Sequence, residues 1–336
     1  MNIDESLPIE VTRGGRVESV HHTDVVAVTA SGDVVLRCGD VEREIYPRSS
    51  AKPLQSLPLV ETGAADRFGL DDARIALACA SHTGQTEHTS AVSRWLSDVG
   101  LREDALECGP HRPTDQASAD ALVAAGEEPT RLHNNCSGKH TGFLTTALHL
   151  GEDPKGYLHP GHPVQQRLVD ILAELSGCDL SATGRGSDGC GIPVVGVPLT
   201  GLARAMARMA DPAGLGSVRE AACRRISAAM NAHPLLVAGN GVLDTLVMTA
   251  ISGIATKRGA EGVQIAIVPE QGIGIAVKAR CGTERASEAA FLWALERLGL
   301  IGSSARAALA DRIVRPVTNT LGERVGEVRA GEIQTN

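Results

Sequence analysis

Aromatic side chains are scarce: 336 residues include only 2 Trp, 2 Tyr and 3 Phe, 2% of the chain. A surface that stacks bases or sugar rings needs several such rings together, so none is expected, and the core must rest on Ala, Val, Leu and Ile. An excess of positive charge is also missing. The 32 Lys and Arg are scattered and outnumbered by 40 Asp and Glu, a net charge of −8, which excludes a phosphate-tracking surface and with it nucleic acid as a partner. No apolar run approaches the roughly 20 residues needed to cross a bilayer. Met1 to Glu5 lacks the basic start and apolar segment of an export signal, so a soluble cytoplasmic protein is expected. Internal repeats and low-complexity stretches are absent as well.

Cysteine, by contrast, is present eight times. Without an export signal these read as reduced thiols rather than a disulfide framework. Cys38 and Cys281 fall in apparent strands, Cys79 in the apolar run from Ile75, and Cys223 in a helix-like stretch, all contexts for small buried core residues. Cys108 and Cys178 adjoin glycines and show no partner pattern.

The length is that of an α/β enzyme with two lobes around one site. Val17 to Val20, Asp24 to Thr29 and Asp33 to Arg37 are short β-branched runs separated by His21-His22-Thr23 and Ser31-Gly32-Asp33, an antiparallel meander. From Ala51 to about Met248 the spacing is mostly helical, as at 119–125 and 164–172, with Gly and Pro clusters between. Strand patterns return at 263–268 and 273–278, followed by a helix over about 286–298. This order predicts one domain with a sheet lobe from about 10–48 and 253–330 and an inserted, mainly helical lobe over about 49–252. The tails before about Pro8 and after about Gly331 should be loosely held.

The run Pro47-Arg48-Ser49-Ser50-Ala51-Lys52-Pro53 holds an S-x-x-K pair at a helix start. Residues three apart share a helix face, so an uncharged Lys52 amine can take the proton of Ser49 Oγ. Pro53 in the first turn sacrifices no helical hydrogen bond. Ser and Lys also serve plain capping and solubility roles at helix starts. Amide hydrolysis would need Ser49 as nucleophile, its backbone N–H as part of an oxyanion hole, and Lys52 as a base lowered towards about 7–8.

A second run, His133-Asn134-Asn135-Cys136-Ser137-Gly138-Lys139-His140, is followed by Asp188-Gly189-Cys190-Gly191. With Ala80-Ser81-His82-Thr83, Cys108-Gly109-Pro110-His111 and His159-Pro160-Gly161-His162-Pro163, these runs resemble the bacterial type II asparaginases of the thermolabile rhizobial kind. The resemblance extends from about Arg13 to Arg329. It implies a serine β-lactamase-like fold of class α/β, hydrolysis of L-asparagine through a Ser49 acyl-enzyme, and a homodimer.

The resemblance also implies a second Ser-Lys dyad, Ser81 with Lys257. Lys257 stands where β-lactamase-like folds carry Lys-Thr-Gly, but this chain has Lys-Arg-Gly, and a solvated loop lysine is the alternative. One Zn2+ per chain is implied on Cys136, Lys139 and Cys190. Thiolates favour zinc, whereas lysine must be neutral to ligate, and unaided chemistry would nominate His140 or His133; separate core thiols are the alternative. Arg48 could clamp the substrate carboxylate and Asp188 its ammonium, with Asn134, Asn135 and His140 nearby and His82 a candidate proton shuttle. Two other readings stay open: a β-lactamase-like or peptidase-like serine acylase on larger amides, and a non-catalytic zinc or amino-acid binding protein.

Overall fold

The computed structural model describes residues 2–333. Three strands open the chain: β1 (Leu7–Arg13), β2 (Arg16–Thr29) and β3 (Val34–Cys38). The helices that concern the site are α1 (Lys52–Gln55), α2 (Asp72–Ala78), α3 (Thr86–Asp98), α4 (Ser137–Leu150), α5 (Pro163–Ser176), α6 (Leu199–Ala210), α7 (Ser217–Ala232) and α8 (Leu243–Ala250). The chain then returns to strands β4 (Ala255–Gly259), β5 (Val263–Val268) and β6 (Ile273–Ala279), forms α9 (Glu284–Arg297), and ends in β7 (Arg315–Thr318) and β8 (Arg324–Ala330).

Both chain ends build one nine-stranded sheet, in the order β7-β8-β1-β2-β6-β5-β4, with β3 also on β2 and Asn2–Ile3 paired in parallel with β3. Every other pairing in this sheet is antiparallel. Side chains alternate faces along a strand, and here both faces are covered. Val26 and Val28 of β2 join Leu202, Met206, Ile226 and Met230 of α6 and α7. Val25 and Ala27, one residue out of step, join Phe291, Leu292 and Leu295 of α9. A third core, with Trp95, Phe143 and Tyr157, lies within the helical lobe.

Several sequence expectations are corrected. His21-His22-Thr23 does not separate two strands but lies within the 14 residues of β2, because β1 pairs with it through Thr23 and β6 takes over from Thr23 to Thr29. The tail before Pro8 is not loose throughout, since Asn2 and Ile3 pair with Arg37 and Cys38. β7 and β8, unread in the sequence, close the far edge; their charged, half-exposed residues carry little apolar alternation. Cys281 sits exposed in the turn after β6 rather than in a buried strand, and Cys178 is half-buried. The expected tail beyond Gly331 falls partly on 334–336, outside the described residues.

Candidate active site

The chain leaves the sheet through Pro47 and turns at once. Arg48 takes a left-handed φ of 52°, a conformation that costs a residue with a Cβ about 1–3 kcal/mol and that concentrates at functional sites. A single 3-10 turn, Arg48–Ala51, follows and runs into α1. Within it Ser50 is buried and donates its hydroxyl to the Pro47 carbonyl at 2.6 Å. Ser49 is half-buried and faces a cleft of about 240 Å³ lined also by Ser81, Asn135, Arg258, Glu261 and Glu284. Strand β4 forms its other wall. A Cβ on Gly259 would come within 2.7 Å of the Pro47 carbonyl and 3.1 Å of the Ser50 amide, so only glycine lets the strand lie this close to the serine turn.

Lys52, one turn on from Ser49, is wholly buried. Its Nζ donates to Ser81 Oγ at 2.9 Å and to the Ala80 carbonyl. The sequence pairs Lys52 with Ser49 and Ser81 with Lys257; the geometry instead joins Lys52 to Ser81, and among the described residues Ser49 Oγ has no hydrogen bond. Ser81 is held by its own amide donating to Val237 O at 3.0 Å, just past the end of α2. Desolvation lowers the Lys52 amine below its ordinary range, against the opposing charge of Cys136.

Lys257 is the third partner and lies in β4, buried, not in a solvated loop before a strand. Its Nζ donates to its neighbour's carbonyl, Arg258 O, at 2.8 Å and lies 3.9 Å from Asp244 Oδ2. Burial lowers its pKa to about 7, with Asp244 opposing and the Lys52 charge assisting. Asp244, itself fully buried in α8, is a hub that the sequence reading missed. It accepts from Thr256 Oγ1 at 3.2 Å, the Arg258 amide at 3.0 Å and Gln264 Nε2 at 2.5 Å. A carboxylate inside the apolar run Val242 to Met248 was the available signal, because an acidic residue on a buried helix face must find partners.

Cys136 caps α4 and Lys139 follows in its first turn, both buried. Gly138 brings them in: a Cβ there would lie 2.3 Å from the Leu77 carbonyl, so α4 rests directly on α2. Cys190 arrives on a tight turn between the paired strands Arg185–Ser187 and Pro193–Val195, closed by Asp188 N–H to Ile192 O at 2.8 Å. Lys139 Nζ donates to Cys190 Sγ at 3.2 Å. The Cys136 thiol is lowered by its hydrogen bond with Cys190 and, against desolvation, by the Lys52 and Lys139 charges. Burial would lower the Lys139 amine, but the two cysteines and Asp188 outweigh it and raise it. The Cys136 sulfur thus lies under the influence of two lysines.

The sequence-expected substrate anchors, Arg48 and Asp188, form an ion pair with each other. Arg48 Nε donates to Asp188 Oδ1 at 2.5 Å, and that oxygen also accepts from the Gly189 amide at 2.9 Å. They line a crevice with Gln165, Leu168 and Val169 on the other flank of the serine turn, which Pro47 and Ala51 also line. Asn134 spends its side chain on Gly109 O at 2.7 Å and on the Cys136 amide at 2.9 Å, a brace for the loop. His140 is buried, with Nδ1 2.8 Å from Tyr157 Oη, which accepts from the Glu107 amide; its Nε2 has no partner among the described residues. His82 bonds Ser137 Oγ at 2.9 Å and accepts from the Gly84 amide, and burial keeps its ring neutral.

Two thiols and an amine therefore converge as a donor set that fits zinc once Lys139 gives up its proton. Among the described residues no cluster of three His, Cys, Asp or Glu could hold a metal, so such a site would depend on the lysine. His133, the other nitrogen candidate, is turned away: its Nδ1 caps the Thr130 amide at 3.0 Å.

From residue 9 to residue 330 the chain matches the L-asparaginase II family. No curated protein matches it. Among solved structures it is similar to Mglu in its tris and glutamate form, at 15% identity and a TM-score of 0.47, covering 89% of this chain and 64% of that one. The chain thus spans less than two thirds of Mglu. It is also similar to a β-lactamase from Mycobacterium bovis, at 16% identity, TM-score 0.40, 86% of this chain and 94% of the other. A third is simvastatin synthase from Aspergillus terreus, at 14% identity, TM-score 0.38, 76% and 86%. At that level of likeness the chemistry must be argued from this chain's own residues.

Proposed function

The chain belongs to the L-asparaginase II family, and from that premise we propose that this amidohydrolase cleaves the side-chain amide of L-asparagine to L-aspartate and ammonia, with Ser49 as nucleophile. The observation that carries the reading is the cleft lined by the half-buried Ser49 and the buried Ser81, with the amines of Lys52 and Lys257 fully buried. Burial lowers the Lys52 amine and brings Lys257 to about 7, and an uncharged lysine can accept a hydroxyl proton. Ser49 Oγ attacks the amide carbon as its proton passes to Lys52. Ser81, bonded to that amine, holds it in place and relays the proton. The amide nitrogen leaves as ammonia after receiving a proton, and water then cleaves the aspartyl ester with a lysine again as base. The Ser49 amide, at the start of a helical turn where N–H groups lack internal acceptors, serves the oxyanion.

Cys136, Lys139 and Cys190 would hold zinc. A bound zinc ion supplies a positive centre that polarises a carbonyl or acidifies a water. His140, with Nε2 unpartnered among the described residues, follows Lys139 directly in α4 and is the other nitrogen available there. Purified protein should carry roughly one zinc per chain, lost in Cys136→Ala and in Cys190→Ala; metal retained by both variants alike would disprove a shared site.

Ammonia release from asparagine tests the activity. Ser49→Ala should lower kcat by about 10³-fold or more with the fold intact, since removing a nucleophile from a unit that acts together costs nearly the whole rate. Near-normal turnover in that variant removes Ser49 from the role. Glutamine, one methylene longer, should react at least about 10-fold less well; equal kcat/KM would mean a different amide is the substrate.

A further inference from the structure

The cleft carries charges that the reaction as proposed does not use. Arg258 follows Lys257 on β4, and its backbone amide is tied to Asp244 at 3.0 Å, so the base of the side chain is fixed by a buried hub. Its guanidinium Nη1 donates to Glu284 Oε1 at 2.6 Å, and both side chains keep access to solvent, 26% and 55% exposed. Both line the cleft with Ser49 and Ser81, and Glu261 stands beside them with a left-handed φ of 60°. Arg48 and Asp188, the other opposite-charge pair near Ser49, face a different crevice and are matched to each other with Asp188 largely covered.

We infer that Arg258 and Glu284 are the anchors of the amino-acid head, Arg258 taking the α-carboxylate and Glu284 the α-ammonium. This rests on the amide-hydrolase reading and adds to it the residues that select the substrate class. A zwitterion presents one anion and one cation on a single carbon, and an exposed Arg–Glu pair presents the complement. Entry of the head group exchanges one ion pair for two without leaving a charge unmatched. Arginine suits the carboxylate because its planar fork can bond both oxygens, and Nη1 alone is engaged by Glu284. The same β4 segment that carries Lys257 thus carries the anchor at the next residue, so head and base are held in one rigid frame against the serine turn. The pair also explains what the Lys-Arg-Gly sequence supplies: a cation aimed at substrate beside a buried amine and a glycine that admits close packing.

The test compares wild type with Arg258→Gln, Arg258→Lys and Glu284→Gln on three amides: asparagine, its α-carboxamide, which lacks the carboxylate charge, and N-acetylasparagine, which lacks the ammonium. Calorimetric binding of L-aspartate is measured in parallel. Arg258→Gln should raise KM for asparagine roughly 10–100-fold, the range of a lost charged hydrogen bond, change kcat less, and leave the α-carboxamide unaffected. Arg258→Lys should restore part of the loss, and Glu284→Gln should remove the discrimination against N-acetylasparagine. If wild type prefers asparagine and Arg258→Gln keeps the same preference, the anchor is elsewhere and the inference is overturned. Aspartate binding separates the two readings: if wild type turns over no amide, weaker aspartate binding in Arg258→Gln still supports the anchors, and unchanged or absent binding overturns them.

Discussion

Three lysines buried without exposed surface set the character of this site, and Lys257 is the one whose titration falls in the working range. Its pKa near 7 comes from burial, held from falling further by Asp244. As base for the water that cleaves the acyl-enzyme it accepts nothing while protonated, so kcat should climb through about pH 7 and level off on the alkaline side. Asp244→Asn removes the opposing charge, drops the amine further, and should move the rising limb to lower pH; a limb that stays in place would detach Lys257 from the rate. How much of this was legible follows from distance along the chain. Ser49 and Lys52 stand three residues apart, and local spacing reveals them. Lys52's contact with Ser81 crosses 29 positions and Lys257's with Asp244 crosses β4 and α8, and no local pattern encodes which serine a lysine will meet.

Among the secondary-structure elements, β4 and the serine turn form the junction on which the site depends. Gly259→Ala would set a methyl group 2.7 Å from the Pro47 carbonyl, and the turn or the strand must give way. Overpacking of this kind costs about 1–3 kcal/mol, and because the displaced atoms adjoin Ser49, activity should fall well beyond what the loss in thermal midpoint explains. A variant equal to wild type in both would show the contact to be slack. The helix at 163–176 was readable because it keeps an apolar stripe through Val164, Ile171, Leu172 and Leu175, whereas those at 116–125 and 284–297 were readable from runs of good helix formers such as Ala and Leu. β2 was not read as one strand because its first half pairs only with β1 and exposes Val17 and Val20, whereas its second half is covered on both faces. β7 and β8 were hidden because Pro316, Gly326 and the charged Arg315, Arg324, Glu327 and Arg329 break the apolar alternation on a half-exposed edge.

For the whole molecule, buried groups of opposite kind bound the pH range of stability. His82, His88 and His140 are lowered by burial; the unfolded chain binds their protons below about 6.5 and the fold does not, so stability falls on acidification. Lys257 acts in the same direction up to 10.5, its ordinary value. Cys38, Cys79, Cys108 and Cys223 are each raised by burial from 9.0 to about 12. Above pH 9 the unfolded chain releases those protons while the fold retains them, and stability drops. Urea midpoints should therefore peak between about pH 7 and 9, and a maximum in acid would contradict this balance. The sheet has one more consequence, concerning synthesis on the ribosome. Ser49 and Lys52 emerge early, but the strand that walls their cleft and the arginine on it lie some two hundred residues later, and β2 gains β6 only after residues 273–279 have been made. A nascent chain halted before residue 255 would hold both serines and two of the three buried lysines yet lack the strand that walls the cleft, so premature termination there cannot release an active fragment.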